Sequence, residues 1–332
     1  MRFNRILGRL SPSRLGRGAL GAAIVVAGIL AASPEAFGVI EYTATGPVVS
    51  RNTTAPTDSS LLALWNNEVE VGAYLGTPID STHFIAAQHI GAYSTYSKFN
   101  GTTWSTYNIV GYADDPGTDL RIYQIAPGET LTPAPLYTGA AGSEIGKTMT
   151  VFGRGTQPGT AYGSVGWLWG SSDSAMSWGQ NVVSGVYTSG VGPFVGFAFG
   201  STVGNGSNVG NGITSAAGLS DGDSSGPVFV QNDGLWELAG INYGVDSWST
   251  TAGGAQFNAN LFDTRGLYTN GSTTPTTGTY AVPGNSYASE IAPAMTWIDG
   301  VSSVPEPGTL ALCGAGLSMF VVWGWRRRRP LK

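Results

Sequence analysis

Short apolar runs separated by glycine-containing turns recur through the middle of the chain, and this pattern predicts strands. Residues 61–64, 83–87, 120–125, 148–152, 182–187 and 227–231 have strand lengths, and most are rich in β-branched or aromatic side chains. Asn232-Asp233-Gly234 separates the run at 228–231 from that at 235–241. Asp-Gly tolerates the positive φ of a tight turn, so these two runs form a hairpin. Glycine is dense from 190 to 218, where loops are expected, and the Thr, Gly and Pro-rich stretch 269–284 reads as a loop or an extra hairpin. Residues 286–298 lack glycine, open on a capping serine and carry alanines, Met295, Trp297 and Ile298, which predicts a short terminal helix. Pro293 makes that helix start late or kink. No repeat of fixed period is present, and the fold class is all-β.

The two ends follow different rules. Arg2, Arg5, Arg9, Arg14 and Arg17 are followed by an apolar run at 19–32 and then by small residues, the layout of a secretory signal. The alternative is an N-terminal membrane anchor, but the run is shorter than the roughly 20 residues a spanning helix needs. Ala36-Phe37-Gly38 suits the signal peptidase, so residues 1–38 are removed and the mature chain begins Val39-Ile40. At the other end, Val304-Pro305-Glu306-Pro307-Gly308 precedes 17 apolar or small residues at 309–325, then Arg326 to Arg329 and Lys332. Prolines break structure, the stretch is long enough to enter the membrane, and the cations hold its end in the cytoplasm, leaving the body outside. A plain single-span anchor would show the same helix. The Pro-Glu-Pro placement resembles the PEP-CTERM signal, residues 304–332, of bacteria that make extracellular polysaccharide. That resemblance implies cleavage by an exosortase-type enzyme and a place at the cell surface or in the polysaccharide matrix of a Gram-negative-type bacterium.

Charge narrows the body further. Ten of the 16 basic residues lie in the two ends, so the stretch 39–304 holds six basic against 19 acidic residues. Such an acidic surface does not track phosphates, and a nucleic-acid partner is excluded. The only cysteine, Cys313, lies in the tail, so the exported body has no disulfide and depends on packing. About 266 residues can bury a substantial core, as one large all-β domain or two smaller stacked ones.

The candidate chemistry starts at Gly222-Asp223-Ser224-Ser225-Gly226-Pro227, a serine in a glycine-flanked turn just before an apolar strand. Acyl transfer needs a nucleophilic oxygen beside backbone N–H donors, and glycine lets the chain turn those donors inward. The donors here are Gly222 and Ser224. A base must take the serine proton, and the chain has two histidines, His83 and His89. His89 ends an apolar strand and is the candidate base, whereas His83 begins the same strand and reads as structural or as an edge residue. Asp119, in a loop entering the run at 120–125, is the candidate carboxylate that orients the imidazole. Asp114 and Asp115 read as solvated turn residues.

These segments resemble the chymotrypsin-like serine peptidases. The family's Gly-Asp-Ser-Gly-Gly-Pro departs only at Ser225, its Thr-Ala-Ala-His-Cys segment at Gln88 and Ile90, and its Asp-Ile-Ala-Leu segment lies at Asp119. The order His, Asp, Ser also matches, with separations of 30 and 105 positions. The resemblance implies two antiparallel six-stranded-type β-barrels with a cleft between them. The first would occupy 39–146, and the second, with a terminal helix bearing Trp297-Ile298, 147–303. It implies a serine endopeptidase acting on protein or peptide substrates without metal or cofactor. Asn242, Tyr243 and Gly244 would line the substrate strand, and Gly218 the pocket floor, where no carboxylate awaits a basic side chain; a small or apolar residue before the scissile bond is expected. Asp223 would either pair with a new Val39 ammonium or stabilise the turn through local bonds. Two other functions share these residues, an esterase using the same triad and a non-catalytic surface protein binding matrix through its Tyr and Trp residues.

Overall fold

The computed structural model describes residues 38–43, 49–162, 166–198, 215–246, 259–261 and 284–302. The expected signal hydrophobic run, most of the glycine-dense loop at 199–214, the stretch 269–283 and the sorting tail lie outside these residues. Among the described residues, no helix is long and apolar enough to cross a membrane.

Strands β1 (Ile40–Thr43) and β2 (Val49–Ser50) pair antiparallel and lead to helix α1 (Ser59–Asn67). The helix corrects the strand expected at 61–64. Asp58 caps it, its Oδ1 accepting from Ser60 N and Leu61 N at 2.9 Å each, and Leu61 and Leu64 face inward. A four-residue apolar run fits either element by periodicity; the cap and the absence of β-branched residues decide for helix.

Six strands then close into a barrel: β3 (Val69–Val71), β4 (Tyr74–Pro78), β5 (His83–Ala87), β6 (Thr95–Phe99), β7 (Trp104–Asp114) and β8 (Leu120–Ile125). Their order is β3-β4-β5-β8-β7-β6, and pairing of Val69 with Lys98 and Glu70 with Ser97 shuts the ring. Val69, Val71, Phe84, Tyr96, Tyr123 and Ile125 fill it, with Phe84 stacked on Tyr123 at 5.0 Å between centroids.

The second half contains β9 (Thr148–Gly153), β10 (Thr156–Tyr162), β11 (Gly166–Ser172), β12 (Ser177–Val182), β13 (Gly185–Ser189), β14 (Gly192–Ala198), β15 (Ser215–Gly218), β16 (Pro227–Asn232), β17 (Leu235–Val245), β18 (Ala259–Leu261) and β19 (Asn285–Glu290). Seven of them form one antiparallel sheet, β12-β9-β16-β17-β19-β14-β13. Among the described residues this sheet does not close, so of the two halves expected to be barrels the first alone is one in the strict sense there. β15 pairs with β1 in another sheet, and the Asn181 carboxamide on β12 donates to Ala217 O on β15 and to Ala198 O on β14. β10, β11 and β18 form a separate three-stranded sheet.

Three local expectations are refined. The run at 182–187 is split between β12 and β13; β14 and β15 emerge from the glycine-dense stretch; and 286–290 is strand, not helix. Along Ser286–Glu290 burial begins by alternating, the two-residue period of a strand. The helix starts after Pro293, as a 3-10 turn at Ala292–Ala294 running into α2 (Met295–Ser302). The hairpin at Asp233 and Gly234 forms as expected, with φ of +49° and +84°. One apolar cluster joins α1, the barrel, the open sheet and α2 through Leu61, Ile85, Leu120, Phe152, Leu238 and Ile298.

Candidate active site

Strand register brings the first two residues together. β5 pairs with β8 so that Ala87 lies opposite Leu120, and the same register continues to Gln88 opposite Asp119, with Gln88 N donating to Asp119 O at 2.7 Å. His89 is thus delivered to the carboxylate. Asp119 Oδ1 accepts from His89 N at 3.0 Å and Oδ2 from the imidazole Nδ1–H at 2.5 Å, with the aspartate 8% exposed. The carboxylate fixes the Nδ1–H tautomer and leaves Nε2 as an acceptor. Ser224 Oγ stands 2.8 Å from Nε2.

The Asp119 loop is tied from both ends. The Gln88 carboxamide donates to the carbonyls of Asp115 at 2.6 Å and of Thr118 and Leu120 at 3.0 Å each. Asp115 accepts from Gly117 N and Thr118 Oγ1, and Asp114 holds Arg121, which lies over Tyr112 at 4.2 Å. Asp114 and Asp115 are therefore built into the support of the site and are not free turn residues. His83 donates through Nδ1 to Asp80 at 2.8 Å and is 6% exposed, away from Ser224's partner set.

The serine turn rests on a buried carboxylate. Asp223 is fully buried; Oδ1 accepts from Gly155 N at 2.7 Å, and Oδ2 from Ser220 N at 2.7 Å and Ser220 Oγ at 3.1 Å. Burial pushes its carboxyl up to about 6, against the pull of these donors and of the Arg51 guanidinium. Ser220 Oγ lies 3.5 Å from Gly38 O, so the start of the expected mature chain borders this cage, and Val39 and Ile40 are fully buried. Gly222 adopts φ +87°, and a Cβ there would come 3.2 Å from Gly155 Cα, so glycine is required. Among the described residues, the N–H groups of Gly222 and Ser224 have no hydrogen-bond acceptor.

Asn242 serves the serine turn and not Asp119. Its carboxamide donates to Phe152 O at 2.9 Å and Asp223 O at 3.0 Å, while its backbone brackets the turn through Asn242 N to Gly226 O and Ser225 N to Asn242 O. Tyr243 stands edge-on to His89 at 5.5 Å and packs on Phe194 at 4.7 Å. β16 begins at Pro227, opposite Ile241, so Tyr243 and Gly244 run past its end, and among the described residues that edge of β17 has no strand partner there. Gly218 is paired with Ile40 in the β15–β1 ladder. Among the described residues, no group of three His, Cys, Asp or Glu side chains is placed to hold a metal ion.

Ser225, Gln88, Ser220 and Arg51 were not among the candidate site residues. Ser225 and Gln88 stood out only as departures from the family pattern, and their partners lie too far along the chain for spacing to reveal them.

No curated protein sequence matches the chain. Solved structures of similar backbone include a mutant of human heparin binding protein, at 14% identity and TM-score 0.45 over 77% of this chain and 97% of that one. Another is mouse neuropsin, a serine protease of the limbic system, at 14% identity and TM-score 0.42 over 71% and 94%. Residues 303–329 match the PEP-CTERM protein-sorting motif, so the chain carries an export-sorting tail of the kind processed by exosortase-type enzymes.

Proposed function

We propose that this chain is an exported serine endopeptidase. The observation that carries the reading is the continuous relay from Asp119 through His89 to Ser224, at 2.5 and 2.8 Å. Nε2 takes the Ser224 proton as Oγ attacks the scissile carbonyl, and the imidazolium that forms is stabilised by Asp119. The Gly222 and Ser224 N–H groups hold the oxyanion. His89 then gives the proton to the leaving amine, and water repeats the sequence to hydrolyse the acyl-enzyme. The edge at Tyr243 and Gly244, which no described strand covers, would pair with substrate backbone, and glycine at 218 suits a small or apolar side chain before the cleaved bond.

Asp223 supports the turn through local bonds, since three donors already satisfy it with Gly38 and Val39 still joined. A mature chain beginning at Val39 and one carrying an extra glycine before it should react at the same rate. In this reading the signal peptidase removes 1–38, barrel-like units span 39–146 and 147–303, and the tail, with its membrane stretch at 309–325, places the enzyme at the surface or in the polysaccharide matrix of a Gram-negative-type bacterium.

The test is hydrolysis of casein and of small activated esters by the purified full chain and by Ser224→Ala. Cleavage of casein that falls at least roughly 10⁴-fold in the variant supports the peptidase. Ester hydrolysis without casein cleavage would make the chain an esterase using the same triad.

A further inference from the structure

The β4–β5 pairing ends in an unusual way. Thr77 lies opposite Ile85 and Pro78 opposite Phe84, and Ile79 N donates to His83 O at 3.0 Å. In an antiparallel ladder the directly bonded pairs alternate, so after 79 with 83 and 77 with 85 the next bonded pair is Leu75 with Ala87. Those two residues do not bond directly. The Ser225 hydroxyl stands between them: Ala87 N donates to Ser225 Oγ at 3.1 Å, and Ser225 Oγ donates to Leu75 O at 2.7 Å.

We infer that Ser225 is a positioning residue, splicing the serine turn into the first barrel by substituting its side chain for one rung of that barrel's ladder. The inference rests on the peptidase reading for its catalytic meaning, but the contact it explains is geometric. Ser225 follows Ser224 in the chain, and Ala87 precedes His89 by two residues. One fully buried hydroxyl therefore registers the nucleophile against the strand that delivers its base. Its N–H donates to Asn242 O at 2.8 Å, so the same residue is anchored to β17 by its backbone and to β4 and β5 by its side chain. The residue also sits at φ +70°, a left-handed conformation that glycine adopts without strain. Glycine at 225 would relax the backbone but leave the Leu75 carbonyl and the Ala87 N–H to find each other or stay unpaired. A serine at this position gives up backbone ease for a bridge between the two halves of the site.

The experiment compares wild type, Ser225→Gly, Ser225→Ala and Ser224→Ala as full chains, with two readouts. The first is the rate constant for labelling by a small fluorophosphonate. In Ser225→Gly it should fall roughly tenfold to a hundredfold, the scale of a small misplacement of reacting groups. Peptide kcat should fall with it while KM stays unchanged. The second readout is the ring NMR signals, at one fixed pH, of the imidazoles, of which the chain has only two. The His89 ring signals of Ser225→Gly should move towards those of Ser224→Ala, because both weaken the same Nε2 contact, and the His83 signals should stay in place. Ser225→Gly is the informative variant for folding, since relief of the left-handed strain offsets lost bonds; Ser225→Ala keeps the strain and should be the less stable of the two. A Ser225→Gly protein that labels within twofold of wild type, or whose His89 ring signals overlay those of wild type, overturns the inference. If wild type itself does not label, the peptidase reading fails, and the His89 ring signals still decide the positioning role.

Discussion

His89 has each ring nitrogen assigned by a neighbour, Nδ1 by Asp119 and Nε2 by Ser224. Asp119→Asn keeps the shape but can present an amide N–H to Nδ1, which favours the other tautomer and blocks proton transfer from the serine. Peptide kcat should fall by roughly 10⁴-fold with KM little changed, as read by steady-state kinetics. Ser225 carries a different kind of cost. A non-glycine residue in the left-handed region gives up about 1–2 kcal/mol, offset here because the side chain bonds two buried backbone groups, Ala87 N–H and Leu75 O. The contact of His89 with Asp119 and Ser224 was legible in the sequence because each of the three sits in a short segment with its own local signal. Ser225 and Gln88 carried no such signal: the hydroxyl bonds residues 150 and 138 positions away, and the carboxamide reaches 27 to 32 positions along the chain.

At the scale of elements, register does the placing. Continuation of the β5–β8 pairing past Ala87 and Leu120 sets Gln88 against Asp119, and the Gln88 carboxamide then gathers three carbonyls of the incoming loop. Gln88→Ala should release that loop, lowering kcat by about tenfold, given the sensitivity of catalysis to misplacement, while leaving the chain folded by circular dichroism. The Asp58 cap of α1 is solvent-facing and bonds Ser60 and Leu61 in the helix's own first turn. Asp58→Ala should cost about 1 kcal/mol in urea unfolding without altering turnover. Two elements were misread from sequence for opposite reasons. The run at 61–64 was too short for its period to show, whereas Ser286–Glu290 lacked glycine and contained alanine, hiding a strand whose alternation appears only in its burial.

Across the whole molecule, closure was the property the sequence did not reveal. Hydrophobic runs mark strands, but whether a sheet meets itself depends on which strands pair across its edges, and among the described residues β15 pairs with β1 and not with β12 or β13. The body also buries several acids. Burial pushes Glu144, beside Glu290, up to about 7, raises Glu290 and Glu68, and lifts Asp223 to about 6. Each binds its proton more tightly folded than unfolded, so its stabilising effect is complete below about pH 4 and is lost as pH rises through the folded values. The urea midpoint should therefore be higher at pH 5 than at pH 8, and Glu144→Gln should narrow the difference. A midpoint that rises from pH 5 to pH 8 would contradict this assignment.

The central claim is that Ser224 is made reactive by His89, which Asp119 orients. Its most direct measurement is mass mapping after fluorophosphonate treatment of the full chain at neutral pH. The account predicts one adduct, on Ser224, that disappears in Ser224→Ala and is strongly slowed in His89→Ala. An unmodified chain, or an adduct on any other residue, would contradict it.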